Sequence, residues 1–144
     1  MTDRSLLEKK LRELIRYTKE LERLRGKSLK ELRASLSVSW SVEHGLQLAI
    51  QAVIDIGNHL LASLSEHQIE DYVDVIDKLG EREILPASFA RRIRDMAGFR
   101  NILVHEYVEV DLEIVHSVLK NRLGDFEQFT RHIQKYLASW EAGA

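Results

Sequence analysis

The chain has 144 residues, with 21 Lys and Arg against 23 Asp and Glu, a formal net charge of −2, and no cysteine. That length supports one domain with a substantial core. The composition excludes disulfides, a thiolate metal site and a cysteine nucleophile, and a nucleic-acid partner would have to be met by a local basic patch.

One proline and seven glycines favour long regular elements. The opening MTDRSLLEKKLRELIRYTKE is charged throughout and does not read as a signal peptide. Leu7, Leu11, Leu14, Ile15, Thr18, Leu21 and Leu24 step by threes and fours, which predicts a helix over about 4–25, ended by Gly26. Ser28 with Glu31 three residues on reads as a capping box for a short helical turn to about Leu36. Ser35, Ser37, Ser39 and Ser41 then mark a kink or break.

A long helix is predicted over about 40–64, apolar on most sides. Its polar line, His44, Gln47, Gln51, Asp55, Asn58 and His59, argues against a membrane span and faces either a cleft or polar groups elsewhere. A weaker helix follows over about 69–79, with Tyr72, Val73, Ile76 and Leu79 inward, and Gly80 ends it. Pro86 opens a helix over about 86–107. The last runs over about 111–139, uneven near Gly124, with Val115, Leu119, Phe126, Phe129, Ile133 and Leu137 on its inner face. The pattern predicts an all-α, up-down bundle of four to five helices, one domain over 1–144 with a frayed tail from about 140.

The stretch GFRNILVHEY, residues 98–107, gathers Arg100, Asn101, His105 and Tyr107 among apolar residues. On an ideal helix Arg100 and Tyr107 project within about 20° of each other, whereas Arg100 and His105 lie about 140° apart. A second copy of the segment across a two-fold axis would pool two arginines and two histidines. Arginine offers a fixed fork of donors for phosphate, and histidine moves a proton near neutral pH. Attack of an RNA 2′-hydroxyl on its own phosphodiester needs those parts and no metal. Arg91, Arg92 and Arg94 add charge to hold a single-stranded backbone, relieved by Asp95. Arginine and histidine at this spacing are common in helices, and on composition alone a structural or interaction role is the more economical account.

The wider text alters that balance. RNILVHEY resembles the motif of the HepT toxins of the HEPN superfamily: arginine, four residues, histidine, any residue, tyrosine. Arg100, His105 and Tyr107 fill its fixed places, and Asn101 matches a frequent Arg-Asn start. AIQAVIDIGNHLL, GEREILPASFARRIRDMAGFRN and DLEIVHSVLK with FTRHIQKYL are similar to that family in order and spacing, so the resemblance covers nearly the whole chain. It implies a HEPN-like fold and a cytoplasmic, metal-independent endoribonuclease toxin working as a homodimer, with Arg100 and His105 as the active pair and Asn101 and Tyr107 supporting them. It also implies an MNT-type nucleotidyltransferase antitoxin that uses ATP to place AMP on Tyr107, and no cofactor for the toxin itself. Adenylates there would set negative charge beside Arg100, where an RNA phosphate should bind.

Asp55, Asn58 and His59 can touch one another; they form either a polar wall of the same cleft, with Asp55 pairing to Arg100, or a buried network that fixes helix register. Glu113 and His116 have the Glu-x-x-His spacing of di-iron bundles, but no second copy exists. No metal site is predicted. A rival reading of the whole chain is a non-catalytic helical subunit that binds a nucleotide or a nucleotidyltransferase.

Overall fold

The computed structural model describes residues 4–65, 69–104 and 110–143. Helix α1 (Arg4–Leu24) buries Leu7, Leu11, Leu14, Thr18 and Leu21, the stripe that its periodicity predicts. Helix α2 (Leu29–Ala34) carries the full capping box, with Ser28 Oγ accepting from Glu31 N and the Glu31 carboxylate accepting from Ser28 N. Ser35 then does two jobs, closing α2 and capping α3 (Leu36–Ser63) by accepting from Val38 N. The serine-rich break is therefore a single residue wide, and the long helix starts at Leu36 rather than near 40.

Helix α3 is the axis of the molecule. It packs on α1, α2, α4, α6 and α7 and touches α8. Gly57 lets α4 (Tyr72–Glu81) come close: a Cβ there would stand 2.6 Å from Val75 Cγ1. Leu79, Ile84 and Leu85 continue that contact around the turn after α4, where Glu83 adopts a positive φ of 59°. One cluster of buried side chains runs from Leu7 to Leu137 and draws on every helix, with Phe126 and Phe129 its largest fully buried members.

The described residues form the predicted all-α bundle; they divide into eight helices because two of the predicted long ones are broken and the short turn after Ser28 is a helix of its own. The helix expected over 86–107 divides into α5 (Ala87–Ile93) and α6 (Asp95–Val104), and that expected over 111–139 into α7 (Leu112–Asn121) and α8 (Leu123–Gly143). The breaks face each other. Arg122 Nη1 and Nη2 donate to the two Asp95 oxygens, both at 2.8 Å, and Nη2 also reaches the Arg92 carbonyl at 3.2 Å. Arg122 Nε donates to Asp125 Oδ2 at 2.6 Å, while Arg92 Nε donates to Asp125 Oδ1 at 2.8 Å. A carbonyl turned toward a guanidinium is a poorer partner for its own helix, so each kink supplies the groups that hold the other. Helix α8 continues past the predicted end to Gly143, and Trp140 packs edge-on against Tyr136 at 5.5 Å.

Candidate active site

Helix α6 buries Met96, Phe99 and Leu103, spaced three and four apart, against α3. That choice of face sets the rest. Asn101 and Ile102 turn outward, and Arg100 lies half-buried between α3 and α4. Arg100 Nε donates to Gln51 Oε1 at 3.2 Å, and its Cζ stands 4.7 Å above the centre of the Tyr72 ring. Tyr72 is fixed at the first turn of α4 by a local clamp: Asp71 accepts from Asp74 N at 2.9 Å, and Asp74 accepts from Glu70 N at 3.0 Å.

Behind Gln51 the polar stripe of α3 forms a relay. Gln51 Nε2 donates to Asp55 Oδ1 at 2.8 Å, and Lys10 Nζ approaches Asp55 Oδ2 at 3.6 Å. Asp55 therefore meets Arg100 through an amide, not directly. His59 is half-buried one turn further along. Tyr72, the ring under Arg100, lines a cleft of about 530 Å³ together with Asn58, Ile69, Glu70, Asp71, Val75 and Asn101. Among the described residues, no other group accepts from the terminal nitrogens of Arg100. An arginine oriented through Nε with its two terminal nitrogens open is suited to bidentate contact with a phosphate.

His105 and Tyr107 lie outside the described residues. The three upstream arginines are divided. Arg92 is committed to Asp125, and Arg94 donates to both oxygens of Asp77 at 2.7 and 3.2 Å, which holds its pKa above the usual arginine value. Arg91 is exposed with no ion pair among the described residues. Sequence reasoning missed the roles of Gln51 and Tyr72. The signal for Gln51 was its place on the polar stripe four residues before Asp55; nothing local marked Tyr72 as a platform for an arginine on another helix.

Among the described residues no cluster of three or more His, Asp and Glu side chains could hold a metal ion. Glu113 pairs with Arg33 at 3.2 Å, which ties α7 to α2, and His116 Nε2 is buried without a hydrogen-bond partner. A second cleft, about 430 Å³, opens between α6 and α7. It is walled by Ile50, Met96, Phe99, Ile102, Ile114, Val118 and Phe126, and Asp95 and Arg122 stand at its rim. Ile102 and Ile114 are 41% and 40% exposed, unusual for side chains of that size in one apolar patch.

A helical domain built on one long central helix, with an oriented arginine beside an open polar cleft, has the frame of a HEPN-type nuclease. The chain belongs to the HepT-like ribonuclease family: the family described as "Ribonuclease HepT-like" matches residues 14–133. Among curated proteins it is 31% identical to the tRNA nuclease HepT of Aphanizomenon flos-aquae over 136 residues, covering 94% of this chain and 92% of that one. It is 29% identical to the mRNA nuclease HepT of Shewanella oneidensis over 120 residues, covering 83% and 90%. Among solved structures it resembles the tri-AMPylated Shewanella oneidensis HEPN toxin in complex with its MNT antitoxin, with a TM-score of 0.81, 28% identity and coverage of 94% and 99%. A toxin–antitoxin crystal structure with AMP-PNP matches with a TM-score of 0.82, 27% identity and coverage of 91% and 98%. Among the described residues no helix is long and apolar enough to cross a membrane.

Proposed function

We propose that this chain is a cytoplasmic endoribonuclease toxin that cleaves RNA as a homodimer, with Arg100 and His105 as its active pair, and that an MNT-type nucleotidyltransferase silences it by moving AMP from ATP onto Tyr107. The observation that carries the proposal is the orientation of Arg100: Gln51 and Tyr72 hold it beside an open cleft with its terminal nitrogens available. The relatives support the nuclease and antitoxin parts of the reading, since they include nucleases of tRNA and mRNA and an AMPylated toxin bound to its antitoxin.

The chemistry is internal transfer in RNA. The 2′-oxygen forms a bond to phosphorus as the bond to the 5′-oxygen breaks, leaving a 2′,3′-cyclic phosphate and a 5′-hydroxyl. One imidazole takes the 2′-hydroxyl proton and an acid returns one to the departing oxygen. Arg100 neutralises the charge gathering on the phosphoryl oxygens. Two copies of His105 across a dimer would supply both proton carriers, and the exposed Ile102 and Ile114 offer an apolar face for the second copy. Arg91 remains open to guide RNA, whereas Arg92 is held by Asp125 and Arg94 by Asp77. Asn101 sits at the cleft mouth, where it can hydrogen-bond a phosphate or ribose. The proposed step uses no metal and no cofactor of the toxin's own.

The test is cleavage of RNA by the purified protein in the presence of a chelator. The parent should cleave; Arg100→Ala and His105→Ala should be slower by on the order of 10² to 10³, with helix content unchanged. Variants that cleave as fast as the parent sink the assignment, and a parent that never cleaves favours the non-catalytic subunit. Intact mass after coexpression with the transferase should show AMP increments that vanish in Tyr107→Phe; persistence of those increments moves the modification elsewhere.

A further inference from the structure

Trp40 is 63% exposed and Leu36, one turn before it, is 67% exposed, although α3 is otherwise the most buried helix of the fold. Neither packs against the core, whereas the other tryptophan, Trp140, does. An indole left in water at the start of a rigid helix has no structural duty to explain it.

Its register does explain it. Trp40 precedes Gln51 by eleven residues on one uninterrupted helix. That spacing is three turns and about 20°, with a rise of about 16 Å. Trp40 therefore stands on the same face as the residue that holds Arg100. Between them that face presents His44, exposed, and Gln47, half-buried. Beyond Gln51 it continues through Asp55 to Asn58 in the cleft. From Trp40 to Gln51 the stripe is a hydrogen-bonding track without a carboxylate, with an aromatic plate at its start and an arginine held at Gln51.

We propose that Trp40 is a base-stacking platform, which holds a nucleotide of single-stranded RNA a few positions from the phosphate that Arg100 grips. The inference rests on the ribonuclease reading above and adds a substrate-positioning residue to it. Every base has a face that stacks on an indole, so the contact sets where the strand lies without demanding a sequence. His44 and Gln47 lie under the intervening nucleotides and can meet base edges or ribose hydroxyls. A protein partner is the less fitting occupant here: Leu36 is the one exposed large apolar neighbour of the indole, Ser37, Ser41 and His44 beside it are polar, and the larger apolar surface lies at Ile102 and Ile114.

The test uses a short single-stranded oligouridylate with the full-length protein. Trp40→Ala should raise KM by roughly tenfold, within the range that loss of one stacked base gives, and leave kcat near the parent value. Trp40→Phe should recover most of the loss. In an Arg100→Ala background, where cleavage is slow on the time of the measurement, the oligonucleotide should quench tryptophan fluorescence, and Trp40→Phe should abolish most of that quenching because Trp140 packs against the core. Unchanged KM and unchanged quenching in the Trp40 variants, with the parent still cleaving RNA, overturn this inference and spare the ribonuclease reading. A parent that neither binds nor cleaves overturns both. A shift of Trp40→Ala from dimer to monomer in sedimentation also overturns it, since the indole would then belong to a contact between copies.

Discussion

Arg100 reaches Asp55 only through Gln51. A carboxylate can only accept, so Asp55 must draw the amide nitrogen of Gln51, at 2.8 Å, and the amide oxygen is then left to take Arg100 Nε at 3.2 Å. Asp55 thereby fixes which way the amide points, and Lys10 at 3.6 Å holds Asp55 in turn. The arginine keeps its charge and its terminal donors while its direction is set by a neutral group. Direct pairing with Asp55 would have put a negative charge where a phosphate has to compete.

Gln51→Leu should therefore loosen Arg100 without removing it. Cleavage should fall by about tenfold to a hundredfold, less than in Arg100→Ala, because misplacement costs less than absence. Gln51→Glu should be worse for KM than for kcat, since a carboxylate beside the guanidinium competes with the substrate phosphate. Asp55→Asn retains an oxygen for Gln51 and should lose less than Asp55→Ala. Steady-state kinetics on one oligonucleotide separates these outcomes, and equal rates for Gln51→Leu and the parent would disprove the relay.

How far the sequence exposed this arrangement depends on the range of each interaction. The stripes of α1 and α3 and the capping box at Ser28 are local patterns, and they appear in the structure as predicted. The two helix breaks were not legible as a pair. Each is stabilised by residues about thirty positions away, Arg92 and Asp95 on one side and Arg122 and Asp125 on the other, and no local rule carries that information. Arg92 and Arg94 looked like a basic track for the same reason: their carboxylate partners, Asp125 and Asp77, lie on other helices. Arg100 stood out through its motif, yet its holders Gln51 and Tyr72 emerge only when three helices meet.

The joint between the breaks gives a stability prediction. Asp125 is 1% exposed and its two oxygens are shared by Arg92 and Arg122. Arg122→Ala strands one oxygen of a buried carboxylate and frees both kinks, and should cost about 2–3 kcal/mol. Arg92, whose side chain is 57% exposed, should cost only about 1 kcal/mol on the same change. Urea unfolding of the two variants tests the order; a larger loss from Arg92→Ala would show that Arg122 does not close the joint.

Two glycines should respond to alanine in opposite directions. At Gly57 the new methyl would meet Val75 Cγ1 at 2.6 Å and Leu79 Cδ1 at 3.0 Å, deep between α3 and α4. Overpacking of that kind costs about 1–3 kcal/mol, more than the helix propensity gained. At Gly98 nothing lies within 4 Å, so Gly98→Ala should stabilise α6 by roughly 0.5–1 kcal/mol. Thermal melts of both variants check the contrast, and a stabilised Gly57→Ala would mean that α4 can move away without loss.

His132 supplies a pH dependence. Its ring packs on Phe89 with centroids 4.9 Å apart. Partial burial there pushes its pKa below the ordinary imidazole value, and the neighbouring charges of Lys135 and Arg131 push the same way. The folded chain therefore gives up this proton more readily than the unfolded chain does. Between the lowered folded value and the unfolded value near 6.5, the unfolded state binds more protons. The contribution of neutral His132 is complete above that window and disappears as the pH falls through it. The melting temperature should decline on acidification from neutral pH, and His132→Phe, which keeps the ring contact without the titration, should flatten part of that decline. Identical slopes for parent and variant across the window would place the acid sensitivity at other groups.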